Sequence, residues 1–258
     1  MTSASRRPSE FAPRLSLQTL SWLARSTIFI SILTSNVESR TFEFHNNCQY
    51  TVWPGTQPNY QIPNLSSTGF ELKPQETKKL SAPANWGGRA WGRTGCSQQG
   101  GNFRCETGDC GGLSCDGRGG QTPATLAEFT LNDHGGQDFY DVSLVDGFNI
   151  PVAIIPKGGT GDKCKKSDCS ADVNAVCPQE LTVVGSNNRR IGCKSACTAF
   201  GKPEYCCTGE HDKPETCPPT RYSKVFSDAC PRAYSYAYDD LRGTFVCKGG
   251  DYLIRFCP

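Results

Sequence analysis

Sixteen cysteines lie between Cys48 and Cys257, and the first forty residues hold none. Thiols at that density could bind metal, exchange electrons or cross-link the chain. An even count spread over a long chain favours eight disulfides, which places the folded part in an oxidising compartment. The spacing Cys193-x3-Cys197 could suggest zinc, but so many cysteines read better as bridges. His45, His134 and His211 are scattered, with no His-x3-His or HExxH spacing, so neither a metal site nor a Ser-His-Asp triad is expected, and no cofactor. Gly158-Gly-Thr-Gly161 lacks the ending of a phosphate loop and a following helix, so it reads as a turn.

The carboxylates carry more. Glu128 interrupts the largely apolar run 126–131. In residues 140–145, Tyr140, Val142 and Leu144 share one face and leave Asp141 on the other. Asp146 has the opposite parity. Asp146-Gly147, however, is a strong hairpin-turn signal, and at a turn the parity constraint lapses. Asp141 and Asp146 can then face one groove. Paired carboxylates can hydrolyse a glycosidic bond, one as acid and one as nucleophile or base, or they can hydrogen-bond sugar hydroxyls. The competing reading is an ion-pair network that only holds the architecture.

Short strand-like runs must position these groups. They fall at 41–45, 50–53, 69–72, 77–80, 89–93, 126–131, 140–145, 150–155, 180–184, 244–247 and 252–256, separated by Pro, Gly and Asn. Without helical stretches between them, they predict a β-sandwich or barrel rather than a parallel α/β sheet. Residues 95–120 are rich in Gly and Cys and predict a stapled loop. Residues 164–230 hold nine cysteines and one predicted helix around 194–200, with Gly201 placed to end it.

The chain has 258 residues and a net charge of +2. Residues 1–39 carry Arg6, Arg7, Arg14 and Arg25 against Glu10 and Glu38. Taking these from the totals of 27 basic and 25 acidic side chains leaves 23 of each, so the rest is neutral. That balance argues against nucleic-acid binding and makes any electrostatic function local. Lys163, Lys165, Lys166 and the Arg189-Arg190 pair read as solvated charges. Residues 1–39 read as an export signal or a disordered leader. Their basic start, the apolar run Ile28, Phe29, Ile30, Ile32 and Leu33, and the small residues Val37 and Ser39 suit a cut ahead of Arg40. No later segment has the roughly 20 apolar residues a membrane span needs. Asn64-Leu65-Ser66 is the only N-glycosylation sequon.

Several long motifs, in order, give the chain a family resemblance. They are residues 101–115 (GNFRCETGDCGGLSC), GRAWGRTGC (88–96), TLAEFTL (125–131), DFYDVSLVDGFNIP (138–151), YCC (205–207), CPRAYSYAYDD (230–240) and the closing FCP (256–258). Over residues 41–258 the sequence resembles the thaumatin-like proteins, the pathogenesis-related group that includes osmotin-like and zeamatin-like members. The resemblance implies a domain over residues 40–258. Its parts would be a flattened β-sandwich, a small stapled lobe near 94–125 and a disulfide-rich helical lobe near 164–230. It implies the pairs Cys48–Cys257, Cys96–Cys105, Cys110–Cys115, Cys164–Cys247, Cys169–Cys230, Cys177–Cys193, Cys197–Cys206 and Cys207–Cys217. The sequence by itself does not choose that connectivity.

The resemblance also implies an acidic cleft between the sandwich and the helical lobe, lined by Arg89, Glu128, Asp141, Asp146 and Asp239. Asp240 adjoins Asp239, so a one-residue choice stays open there. Glu128 and Asp146 would be the hydrolytic pair. The function implied is a secreted plant-type defence protein of the apoplast or vacuole. As a monomer it would bind fungal cell-wall β-1,3-glucan and disturb the fungal membrane surface. The alternatives are a weak endo-β-1,3-glucanase using the same carboxylates, and a hydrolase inhibitor or interaction protein.

Overall fold

A computed structural model describes residues 39–258. The leader expected over residues 1–39 therefore lies, apart from Ser39, outside the described residues. The strands are β1 (Arg40–Asn46), β2 (Trp53–Pro58), β3 (Thr77–Ala82), β4 (Gly87–Arg93), β5 (Ser97–Gln99), β6 (Asn102–Arg104), β7 (Leu126–Asp133), β8 (Gln137–Ser143), β9 (Val152–Lys157), β10 (Ser167–Cys169), β11 (Thr182–Val184), β12 (Arg190–Cys193), β13 (Phe245–Lys248) and β14 (Asp251–Phe256). Two five-stranded sheets, ordered β10-β9-β14-β1-β3 and β13-β8-β7-β4-β2, form the body. Within them only β1 and β14 run parallel.

Alternation in the sequence builds the core between the sheets. Phe42 and Phe44 of β1 point inward from one sheet, Phe129 and Leu131 of β7 from the other, and all four are buried. The Phe42 ring meets Phe129 at 4.5 Å and Trp86 at 5.4 Å, and Phe129 meets Tyr252 at 5.3 Å. Burial of such rings is the largest favourable contribution to a sandwich core. One buried charge ties the layers. Asp138 accepts from Arg40 Nε at 2.8 Å, from the Tyr252 hydroxyl at 2.9 Å and from the Asn132 N–H at 2.8 Å.

Outside the sandwich the local elements are short. The helix α1 (Ala196–Phe200) begins at Ser195, whose hydroxyl accepts from the Thr198 N–H, and ends at Gly201 in the left-handed region at φ 63°. The longest helix, α2 (Arg221–Ala229), was not among the sequence expectations. Thr220 and Ser223 cap it reciprocally, a signal the sequence does carry. The predicted strand at 180–184 is a 3-10 turn, Gln179–Leu181, followed by β11. The predicted run 69–72 makes only isolated bridges, Val52 to Leu72 and Gly55 to Gly69.

The cysteines form the bridges Cys48–Cys257, Cys96–Cys105, Cys110–Cys115, Cys164–Cys247, Cys169–Cys230, Cys177–Cys193, Cys197–Cys206 and Cys207–Cys217, with no free thiol. Thiol titration in denaturant without reductant is expected to find none. Two or more per chain would contradict this pairing. Reduction is expected to lower resistance to heat and protease, because long loops lose their closure.

Arg93, at the end of β4, is fully buried. Nε donates to Trp53 O at 2.9 Å, Nη1 to Gly112 O at 2.6 Å and to Cys110 Sγ at 3.1 Å, and Nη2 to Leu113 O at 2.7 Å and Pro54 O at 3.3 Å. All five donors of the fork are used, and β2 is thereby tied to the stapled loop around Cys110–Cys115. Burial lowers the guanidinium pKa to about 10, with Asp109 opposing the shift.

Candidate functional site

On the outer face of the second sheet, three charged residues stand in one cross-strand row. Arg89 on β4 pairs in register with Glu128 on β7, and Glu128 pairs with Asp141 on β8. The adjoining positions Ala90, Ala127 and Val142 face inward and are buried, which fixes the row outward. Asp146 follows β8 in a turn closed by the Gly147 N–H donating to Leu144 O. Gly147 has φ 91°, and a Cβ there would lie 2.6 Å from Cys193 O, so the turn requires glycine. This turn is not the expected hairpin, because it carries the chain from β8 in one sheet toward β9 in the other.

These four residues line a groove of about 280 Å³ together with Ser143, Tyr234 and Ala237. Arg89 Nε lies 4.0 Å from Glu128 Oε1, and its Nη1 lies 3.8 Å from Asp146 Oδ2. One guanidinium thus stands between two carboxylates at loose distances and fully neutralises neither. The groove keeps an acidic excess.

Asp239 is not in this groove. Its carboxylate is buried and accepts from the Ser235 N–H at 3.2 Å and the Ser235 hydroxyl at 2.7 Å. The neighbouring Asp240 is the exposed member of the pair, and its Oδ1 accepts from the Tyr234 hydroxyl at 2.8 Å. The expectation for Asp239 is corrected accordingly. The Asp239 carboxylate turns back to Ser235 rather than capping the helical turn that follows, and Asp240 turns outward. Tyr234 and Ser143 were also missed. Tyr234 belongs to a loop that bridges Ser143 of β8 in parallel, a long-range contact without local signal.

Electrostatics separates the carboxylates. Burial raises the Glu128 pKa, Arg89 opposes this, Asp146 adds to it, and the Ser143 hydroxyl opposes it. Burial pushes Asp141 well above the usual carboxylate range, with the charges of Glu128 and Asp240 adding to the effect. Asp141 Oδ2 is buried without a hydrogen-bond partner. Burial also holds the Tyr234 phenol above its ordinary range. Chemically, the site offers a carboxylate beside a cation, two carboxyls whose proton affinity burial raises, and a phenol. That set can hydrogen-bond vicinal hydroxyls or hold a proton at a leaving oxygen. Among the described residues no cluster of His, Cys, Asp and Glu is arranged to hold a metal ion.

Residues 46–258 match the family profile described as Thaumatin family. A protein of Prunus avium described as a glucan endo-1,3-beta-glucosidase is 55% identical over 237 residues, 90% of this chain and 96% of that one. Pathogenesis-related protein 5 of Arabidopsis thaliana is 55% identical over 234 residues, again 90% and 96%. Among solved structures, a GH family 64 laminaripentaose-producing β-1,3-glucanase from Paenibacillus barengoltzii, complexed with laminarihexaose, is similar in fold. Its TM-score is 0.55 at 14% identity, covering 90% of this chain and 79% of that one.

Proposed function

The chain belongs to the thaumatin family, and from that premise we propose a secreted defence protein that binds fungal β-1,3-glucan in the acidic groove. One observation carries the reading. Arg89, Glu128 and Asp141 form an in-register outward row, with Asp146 beside it, in an open concave surface. Planar, charged acceptors and a fork of donors at that spacing suit the paired hydroxyls of a polysaccharide. The many disulfides suit an extracellular location. The relatives' printed descriptions, pathogenesis-related and glucanase, point the same way.

A second reading is slow hydrolysis of the same glucan with Glu128 as proton donor and Asp146 as its partner. The observation favouring it is the raised Glu128 pKa beside a carboxylate held near Arg89.

Retention on insoluble β-1,3-glucan and release of reducing sugar, read on one sample, separate the two. The double substitution Glu128→Gln/Asp146→Asn is expected to weaken retention at least fivefold without lowering thermal stability. Unchanged retention would overturn the groove as the glucan site. Glu128→Gln alone is expected to abolish sugar release if hydrolysis occurs, with most retention surviving.

A further inference from the structure

A second and larger groove shares no lining residue with the first. It has a volume of about 750 Å³. Its floor is the loop that enters β9, with Ile150 and Pro151. Tyr50, half-exposed, and Trp53, partly buried, contribute aromatic rings. The strand β12 and the turn before it contribute Arg189 and Arg190. Glu106 and Asp172 supply two carboxylates, so the four formal charges cancel.

The lining groups are close enough to act together. The Asp172 charge, added to burial, raises the Tyr50 phenol, and Arg189 pulls it back. Arg190 Nη1 donates to Asn174 O at 3.4 Å. Asn174 donates its amide to Asn149 O at 3.1 Å, yet its Oδ1 is buried without a partner. Among the described residues, three buried side-chain atoms lack partners. One of them, Asp141 Oδ2, is on a residue that lines the first groove and another, Asn174 Oδ1, on a residue that lines the second. Unpaired buried polar atoms are rare in folded proteins, and each calls for a physical reason, such as a water or ion that completes its bonding or a functional role.

We propose that this groove is a second binding site, for a neutral oligosaccharide. A phosphate or nucleotide ligand needs a cationic excess, which charge cancellation here denies. A purely apolar ligand would leave two guanidinia and two carboxylates desolvated without partners. A pyranose chain has apolar ring faces for Tyr50 and Trp53 and hydroxyl edges for the guanidinia and carboxylates. The proposal does not need the first groove to bind anything. If both bind, one molecule holds two stretches of wall polymer, and retention rises through effective concentration.

Of the four tryptophans, Trp22 lies outside the described residues; among the described ones Trp86 and Trp91 are buried, Trp53 is partly exposed in this groove, and the first groove is lined by no tryptophan. Tryptophan emission of the disulfide-intact protein is therefore followed while hexamers of β-1,3-linked glucose, β-1,4-linked N-acetylglucosamine and β-1,4-linked xylose are added. At least one is expected to change the emission saturably. Tyr50→Ala/Arg189→Ala, checked for an unchanged melting temperature, is expected to weaken that response at least tenfold, and Arg189→Ala alone severalfold. Glu128→Gln/Asp146→Asn is expected to leave it intact. The proposal is overturned if no hexamer changes the emission, if the response survives the Tyr50/Arg189 substitution, or if it is lost with the Glu128/Asp146 substitution. The first groove's own test, retention on insoluble glucan, fails or succeeds independently of these outcomes.

Discussion

Arg93→Met is expected to lower stability by about 4 kcal/mol or more, one of the largest effects of any single substitution outside the cysteines. The guanidinium donates to four backbone carbonyls and a sulfur, spanning Trp53 and Pro54 on one side and Gly112 and Leu113 on the other. Methionine fills much of the volume but leaves those carbonyls buried without donors. For a domain of this size the loss corresponds to a fall of about 8–16 °C in melting temperature. Arg93→Lys keeps the charge but not the fork, and is expected to recover only part of it. Limited proteolysis should locate the damage, with earliest cleavage in the loop around Cys110–Cys115. The opposite result is physically meaningful. A buried cation carries a desolvation penalty, here visible in its lowered pKa. If the methionine variant melts at the parent temperature, that penalty cancels the five bonds, and the fork contributes nothing net.

Asp141→Asn is expected to raise the melting temperature at pH 7 and to lose that advantage near pH 3.5. The folded protein holds the Asp141 proton more tightly than the unfolded chain, so the group's contribution is neutral below the ordinary aspartate pKa. It becomes a penalty as pH rises toward the folded value. Asparagine removes the charge and therefore the penalty. Each tenfold rise in proton affinity corresponds to about 1.4 kcal/mol, or about 3–6 °C for a domain of this size. Glu128→Gln should act in the same direction but less, because its side chain is 34% exposed and water screens it. Thermal melts of parent and variants across pH test both. A lower melting temperature for Asp141→Asn at pH 7 would mean that the charge is well paired after all. A gain in stability joined to a loss of glucan retention would identify the row as a site kept at the expense of the fold.

The outward row was legible because β periodicity is local. Glu128 between Ala127 and Phe129, and Asp141 between Tyr140 and Val142, each sit on the polar side of a two-residue repeat. Asp146 needed a turn, and Asp-Gly announced one, although not that the chain would change sheets there. Asp239 and Asp240 could not be told apart, since the difference is which carboxylate finds Ser235. Arg93 gave no signal at all. Its partners lie 17 to 40 residues away, and an arginine after a strand ordinarily reads as solvated. Arg189 and Arg190 were read that way, and only the fold places them across a groove from Tyr50.

The parallel pairing of β1 with β14 and the bridge between Cys48 and Cys257 have a mechanical consequence. Tension applied between Arg40 and Pro258 must shear two strands that lie side by side, because no hydrogen bond can be unzipped ahead of the others. It then meets a covalent link that closes a separation of 209 residues, so beyond that sliding the chain between the two cysteines carries no load. Only the short tails outside the ring can lengthen. A single cut by a protease anywhere between those two cysteines likewise leaves one covalent molecule, its two pieces joined at Cys48–Cys257.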